Sequence, residues 1–515
     1  MDLADERPTV VFGAIAIASL VAYVLWSTSQ APRLPLPPGP KGLPFIGNVR
    51  DLPKELPWLT YTEWAANYGE LVYVEVFGRG MLILNSVKAI TDLFDKRSSN
   101  YSDRPPMYMV NELIGWDWDF AHMHYGDWWR KHRKTFHQYF HPNAIVAYRP
   151  IQIKETHALL RRLLVSPERF IPHVRQHAGS IILQVAYGYK IESEDDYYVD
   201  LAGRAMEGLI SAGNAGTYLV DFIPILKYVP PWMPGASFMR KALQWRKPTI
   251  ELKEAPFKLV KEAMVQNTAT PSFCSTNLEK LTDESPPDEE EVIKNCAGIA
   301  YLAGSDTTVS VVTTFILAMV LHPEVQKRAQ ADLDAVVGVE GRLPDFEDRS
   351  RLPFIDAIIS ETLRWHPVTP LALAHASMED DVYEGYFIPA GTTITGNAWA
   401  ILHDPSMYPD PSAFKPERFL KREGGECARD PMTVAFGFGR RICPGRHLAE
   451  ASVWIAIVSI LSTFDIGKAV DSEGHDIEPK IEYHSGLVSH PMPFICSIEP
   501  RSEAARKLVD STVDD

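Results

Sequence analysis

Residues 292–321, VIKNCAGIAYLAGSDTTVSVVTTFILAMVL, form an apolar run about 30 residues long. As an α-helix rising 1.5 Å per residue it would be about 45 Å long, enough to cross a whole domain. It has no continuous polar stripe, so it must be buried on most of its sides. A chain containing such a segment has to fold around it. The polar, acidic stretch 282–291 (TDESPPDEEE) leads into it, and no break separates two independent cores between about 51 and 500. Halfway along sit Gly304, Asp306, Thr307 and Thr308, poor choices for the interior of an apolar helix.

Other patterns are short. Residues 70–85 (ELVYVEVFGRGMLILN) read as a β-hairpin broken at Gly-Arg-Gly. From about 127 to 265 the periodicity is mostly helical, and 352–365 and 449–464 are further helices. Strand signals recur around 381–386 and 392–395. The fold class is therefore mainly α with small β-sheets. Of all 515 residues, 46% are hydrophobic and 23% charged, which excludes a disordered or fibrous chain. The net charge of −15, with no basic stripe, argues against nucleic acid as a partner. Five cysteines, odd in number and without C-x-x-C, make neither a disulfide framework nor a structural zinc site. That points to a reducing compartment and leaves a thiol free for chemistry.

Residues 10–26 (VVFGAIAIASLVAYVLW) carry no charge and reach the lower length limit for a membrane span. The leader before it holds Asp2, Asp5 and Glu6 against Arg7, unlike the basic leader of a cleaved signal. Arg33, Lys41, Arg50 and Lys54 follow it, so the rest of the chain is expected on the cytosolic side. Next comes PLPPGPKGLP at 35–44, a stiff spacer that cannot continue a helix. The expected division is an anchor at 1–33, a proline-rich hinge at 34–50, one catalytic domain at 51–500 and a polar tail at 501–515.

The segment 436–445, FGFGRRICPG, sets Cys443 among three glycines just ahead of an apolar helix. Glycines allow a tight turn and close approach to a ligand. Backbone N–H groups in such a loop, with Arg440 and Arg441 beside it, would favour the thiolate. A lone thiolate presented this way suits an axial bond to haem iron.

The pattern FxxGxRxCxG, from Phe436 through Arg441 and Cys443 to Gly445, resembles the cytochrome P-450 superfamily of haem-thiolate mono-oxygenases. Four further motifs follow the family's order. Glu361-Thr-Leu-Arg364 is similar to its ExxR, and Pro416-Glu-Arg-Phe419 to its PERF. The resemblance implies a buried structural network of Glu361, Arg364 and Arg418. Ala303-Gly-Ser-Asp-Thr-Thr308 is similar to the oxygen-binding motif. There Gly304 would leave room for a small ligand, Thr307 would hold the activated oxygen, and Asp306 would pass protons inward. Thr308 is the less favoured neighbour, and the alternative to a functional role is a tolerated polar patch with Thr307 bonding back to its own helix. Trp129-Arg-Lys-His-Arg133 is similar to WxxxR, so Trp129, Arg133 and Arg441 would hold the haem propionates. His375 lies where the family often places a further propionate partner. The run Arg130, Lys131, Arg133 and Lys134 would be a docking surface for an acidic electron donor.

The resemblance implies the P-450 fold behind one anchor helix, in the endoplasmic reticulum membrane. It implies haem b (iron protoporphyrin IX) on Cys443, and O2 as a substrate. Electrons would come from NADPH through a cytochrome P-450 reductase, with cytochrome b5 as a second donor. The cavity would be lined from 110–120, 300–304, 369–373 and near Val488, apolar stretches that suit a hydrophobic molecule. The details resemble fungal microsomal members acting on polyketides, terpenoids and indole amines, with xenobiotic oxidation as the other reading. A haem isomerase or dehydratase, or a haem protein without catalysis, would not need Asp306 and Thr307 together. The segment 221–232 (DFIPILKYVPPW) either dips into lipid or packs on its own domain. Asn100-Tyr-Ser102 is a glycosylation sequon that a cytosolic domain would leave unused.

Overall fold

The computed structural model describes residues 34–191, 195–338, 341–421 and 427–514. The anchor span expected at 10–26 lies outside these residues. The main elements follow in chain order. A hairpin, β1 (Leu71–Val76) and β2 (Arg79–Leu84), precedes helices α1 (Asp127–Phe140), α2 (Arg149–Val165) and α3 (Phe170–Tyr187). Helices α4 (Glu289–Leu321) and α5 (Pro353–Trp365) come next. Strands β3 (His375–Ala376), β4 (Asp381–Tyr383), β5 (Tyr386–Ile388) and β6 (Thr393–Gly396) follow. Last are α6 (Arg446–Thr463), β7 (Phe464–Val470), β8 (Asp476–Ile477), β9 (Cys496–Pro500) and α7 (Glu503–Asp510).

Helix α4 is the expected spine, with 33 residues. It starts inside the acidic stretch because Glu289, Glu290 and Glu291 favour the positive end of the helix dipole. It stops at His322, before Pro323 opens the next helix. Its length and apolarity would suffice to cross a membrane, but it is buried inside the domain and packs most extensively along α3. Its N-terminal half, up to Leu302, belongs to one apolar core. From Val309 onward it belongs to a second core, shared with α5 and α6. The polar interruption at 303–308 is where the two cores part.

One sheet has the order β1-β2-β6-β3, with β2 parallel to β6 and the other pairs antiparallel. The hairpin turn is at Phe77 and Gly78, both with positive φ, one step earlier than the Gly-Arg-Gly reading. Gly80 lies in β2, where a Cβ would fall 2.1 Å from the Tyr73 hydroxyl. The proline-rich hinge does not stand free. Pro38 O accepts from Tyr73 N and Pro35 O from Phe387 N, both at 2.8 Å. Residues 501–515 were expected as a polar tail, yet they contain α7. Ser502 caps it, and Ala505 and Val509, one turn apart, are buried where it meets α2. Two small apolar residues are too faint a stripe to stand out in a polar sequence.

Candidate functional site

A cavity of about 300 Å³ lies where the two cores part. Trp129 and Arg133 reach it from α1, Gly304 and Thr307 from the middle of α4, and Cys443 from the loop before α6. Of the expected lining, Phe120, Ala300, Gly304, Thr369, Leu373 and Val488 are on the wall. Residues 110–118 are not: Val110, Trp116 and Trp118 are buried in the first core instead.

The Cys443 loop is shaped by close approaches. Gly439 has φ +54°, and a Cβ there would sit 2.0 Å from Phe94 O. Phe438 stacks on Phe94, and Cys443 N donates to Phe436 O at 2.8 Å. Burial pushes the Cys443 thiol up, opposed by the N–H groups of Gly445 and Arg446 and the charges of Arg133 and Arg446. The thiol's cationic neighbours therefore differ from the expected pair. Arg440 turns out to the Tyr125 hydroxyl (2.6 Å), and Arg441 turns to backbone carbonyls.

Three guanidiniums meet at one side of the cavity. Arg441 donates to Ser102 O (2.7 Å), Phe120 O (3.3 Å) and Met123 O (2.7 Å), and lies 4.4 Å from the Trp129 ring centroid. Burial, then Arg104 and Arg133, pushes it down to about 8. Arg104 donates to Ala121 O (2.7 Å), Leu373 O (2.9 Å) and Ala374 O (2.7 Å), and burial pushes it down to about 10. Sequence reasoning passed over Arg104; its signal was a charged residue directly before Pro105-Pro106. His375 is buried against Phe94, and its Nδ1–H donates to Tyr101 O at 2.7 Å. Burial holds it neutral, which leaves Nε2 as an acceptor; a carboxylate partner would require it to take up a proton.

The 303–308 segment divides its side chains. Thr307 and Thr308 are on the cavity wall, and Thr307 Oγ1 donates to Ala303 O at 2.8 Å. Gly304 also serves packing, since a Cβ there would lie 2.7 Å from Ile182. Asp306 is not on the wall. Its carboxylate accepts from Arg175 Nη1 (2.6 Å) and lies 2.8 Å from His490 Nε2. Burial pushes its pKa up, but these two partners outweigh burial and hold the carboxyl below the usual range. Arg175 and His490 carry no local signal; only the fold brings them to Asp306.

Glu361 and Arg364 pair without any exposure, at 2.7 Å and 2.9 Å. Arg364 also donates to the carbonyls of Leu402, Pro411 and Ala413. Lys415 N donates to Glu361 Oε1 at 2.6 Å, and Arg418 Nε lies 3.4 Å from the same atom. On α1, the basic run splits. Arg130 pairs with Asp127, Lys131 with Asp288 and Glu289, Arg133 faces the cavity, and Lys134 is exposed.

A family profile described as Cytochrome P450 matches residues 37–498. The chain belongs to the cytochrome P450 family. A cytochrome P450 monooxygenase of Armillaria gallica is 45% identical over 96% of this chain and 98% of its own length. One of Coprinopsis cinerea is 43% identical over 100% of this chain and 98% of its own. A tryptamine 4-monooxygenase of Psilocybe cyanescens is 41% identical over 96% and 98%. The protein is thus an oxidoreductase of the P450 monooxygenase type.

Family membership implies a haem-thiolate iron, and the residues present fit one. A half-buried thiol facing the N–H groups of Gly445 and Arg446 is a P450-type sulfur donor. Arg104 and Arg133 both repel Arg441 in a largely apolar wall, an arrangement that a pair of carboxylates would relieve. Among the described residues no cluster of His, Cys, Asp and Glu could hold a separate metal ion.

Proposed function

We propose that this P450 binds haem b through Cys443 and hydroxylates an apolar organic molecule of fungal secondary metabolism. The observation that carries this reading is the half-buried Cys443 thiol on the wall of the same apolar cavity as Thr307. When bound, the haem supplies O2 activation and oxygen transfer. The chain's own residues do the rest. Trp129, Arg133 and Arg441 hold the propionates, joined by Arg104, while Phe436 and Gly445 shape the loop around the sulfur.

Thr307 Oγ1 gives up its bond to Ala303 O and offers its proton toward the cavity. Asp306 supplies that site from solvent when its clamp by Arg175 and His490 opens. The aliphatic and aromatic walls exclude bulk water and favour a substrate with little charge. Relatives such as the tryptamine 4-monooxygenase support a substrate of the same broad kind, a ring-bearing fungal metabolite.

Electrons come from NADPH through a membrane-bound cytochrome P450 reductase, with cytochrome b5 as an auxiliary donor. Lys134 remains on the outer face of α1 to meet them, beside an exposed Arg130 that pairs with Asp127, whereas Lys131 is committed to Asp288 and Glu289. The endoplasmic reticulum is the proposed location. Ile225, Tyr228 and Trp232 are each at least 70% exposed, which suits contact with lipid. Asn100 is an unsuitable sugar acceptor, because its side chain bonds Met378 N, Glu379 N and Glu379 O.

The test is co-expression with a reductase under ¹⁸O2, followed by an untargeted comparison of metabolites. A new product carrying one labelled oxygen is expected; unlabelled products only would refute oxygen insertion. Thr307→Ala should keep its haem yet divert electrons to peroxide. Product per NADPH consumed should fall roughly 100-fold, at the low end of what a positioned proton donor contributes. Unchanged coupling would remove Thr307 from proton delivery.

A further inference from the structure

Asp119 and His122 form a buried pair on the cavity wall that the function above does not use. Asp119 has no exposed surface, and His122 is 5% exposed. Asp119 Oδ2 lies 2.7 Å from His122 Nδ1, and its Oδ1 accepts from Ala121 N, also at 2.7 Å. With His122 neutral, the carboxylate places the imidazole proton on Nδ1 and Nε2 carries the lone pair. That Nε2 is buried and has no hydrogen-bond partner among the described residues. Buried polar atoms left bare are few in folded proteins, and each calls for an explanation.

The segment carrying the pair is pinned on both sides of His122. Arg104 holds the Ala121 carbonyl, and Arg441 holds those of Phe120 and Met123. Nearby His132 is already satisfied, by Trp128 O at 2.9 Å and by Asn295 at 3.2 Å. His122 is thus an oriented imidazole on a fixed backbone, in a wall that is otherwise largely aliphatic and aromatic. A haem propionate does not match the bare Nε2, because both are acceptors. The missing partner is a donor.

We propose that Asp119 and His122 anchor the substrate: Nε2 accepts a hydrogen bond from a hydroxyl or N–H group on an otherwise apolar skeleton. This rests on the monooxygenase reading above. It narrows the substrate class to molecules that already carry one such donor. It also gives the pocket a fixed point from which the position of oxidation is set. Asp119 acts through His122 and is a positioning residue.

Haem-loaded ferric protein is titrated with 2-naphthol and with 2-methoxynaphthalene, two probes of similar shape of which only the first can donate. Binding is followed by the spin-state change in the Soret region. The parent should bind 2-naphthol about tenfold more tightly, the ratio equivalent to ~1.4 kcal/mol. His122→Phe should bring the ratio close to one while retaining haem and the red-shifted band of the reduced CO complex. His122→Gln, which keeps an acceptor, should restore part of the preference, and Asp119→Asn should weaken it. Equal affinities in the parent, no binding of 2-naphthol, or an undiminished ratio in His122→Phe would each overturn the anchor. So would loss of haem in His122→Phe alongside His122→Gln, because that would make the pair a haem support. A parent protein without the red-shifted CO band would instead refute the haem-thiolate reading itself.

Discussion

Cys443→Ser should abolish the red-shifted Soret band of the reduced, CO-bound protein and, with it, all product formation. The substitution removes the sulfur and little else. The loop's shape depends on Gly439 packed against Phe94, on Phe438 stacked on the same ring, and on the backbone bond from Cys443 N to Phe436 O. None of these involves the side chain at 443. The N–H groups of Gly445 and Arg446 and the charges of Arg133 and Arg446 would remain. A hydroxyl in that setting stays protonated, since its pKa lies far above that of a thiol, so no anionic donor reaches the iron. Haem should still enter, held by the guanidiniums on the wall, but its CO complex should absorb at the ordinary position. Unfolding of the haem-free protein should shift by less than about 1 kcal/mol, as for a near-isosteric change with no packing lost. A red-shifted band that survives in Cys443→Ser would assign the iron to another residue.

The reach of the sequence followed the locality of each signal. Helix α4 was legible because thirty consecutive residues lack a polar face, and its length alone made it the spine. Glu361 and Arg364 were legible because three residues on a helix bring them to one side. The polar break at 303–308 was visible as well, but its division was not. Which neighbour faces the cavity depends on helix rotation against α3, fixed by Gly304 meeting Ile182. Arg175 and His490 stand 131 and 184 positions from Asp306, and nothing in the linear order joins them. The same holds for the charges around Cys443: adjacency pointed to Arg440 and Arg441, while the loop's turn sends both away and α1 delivers Arg133. His122 was hidden by its resemblance to any histidine in an apolar stretch. Its Asp119 partner is three residues away, but only burial makes the pair unusual.

Glu361→Gln is the second large effect expected, and it should appear as a loss of folded protein rather than of chemistry. Both members of the pair are wholly buried, so neutralising Glu361 leaves the Arg364 guanidinium without its counter-charge. Breaking such a pair costs about 3–5 kcal/mol, a large fraction of a typical domain's stability. Arg364→Ala should be at least as damaging, because Arg364 also bonds the carbonyls of Leu402, Pro411 and Ala413, and the first two would lose their donor while Ala413 O keeps only Arg418 at 3.4 Å. These carbonyls belong to the chain leading into Pro416–Phe419, so the segment anchored by Arg418 should loosen with them. Arg418→Ala should be milder. Its contact with Glu361 is 3.4 Å, and its other bonds go to carbonyls nearer the surface. The double change Glu361→Leu with Arg364→Met separates two accounts of the pair. If charge balance alone mattered, removing both charges would recover most of the loss. The orphaned carbonyls of Leu402 and Pro411 argue that it will not, and the double variant should stay close to Arg364→Ala in thermal midpoint and haem retention. Recovery to near the parent's midpoint would show that the network holds only itself together.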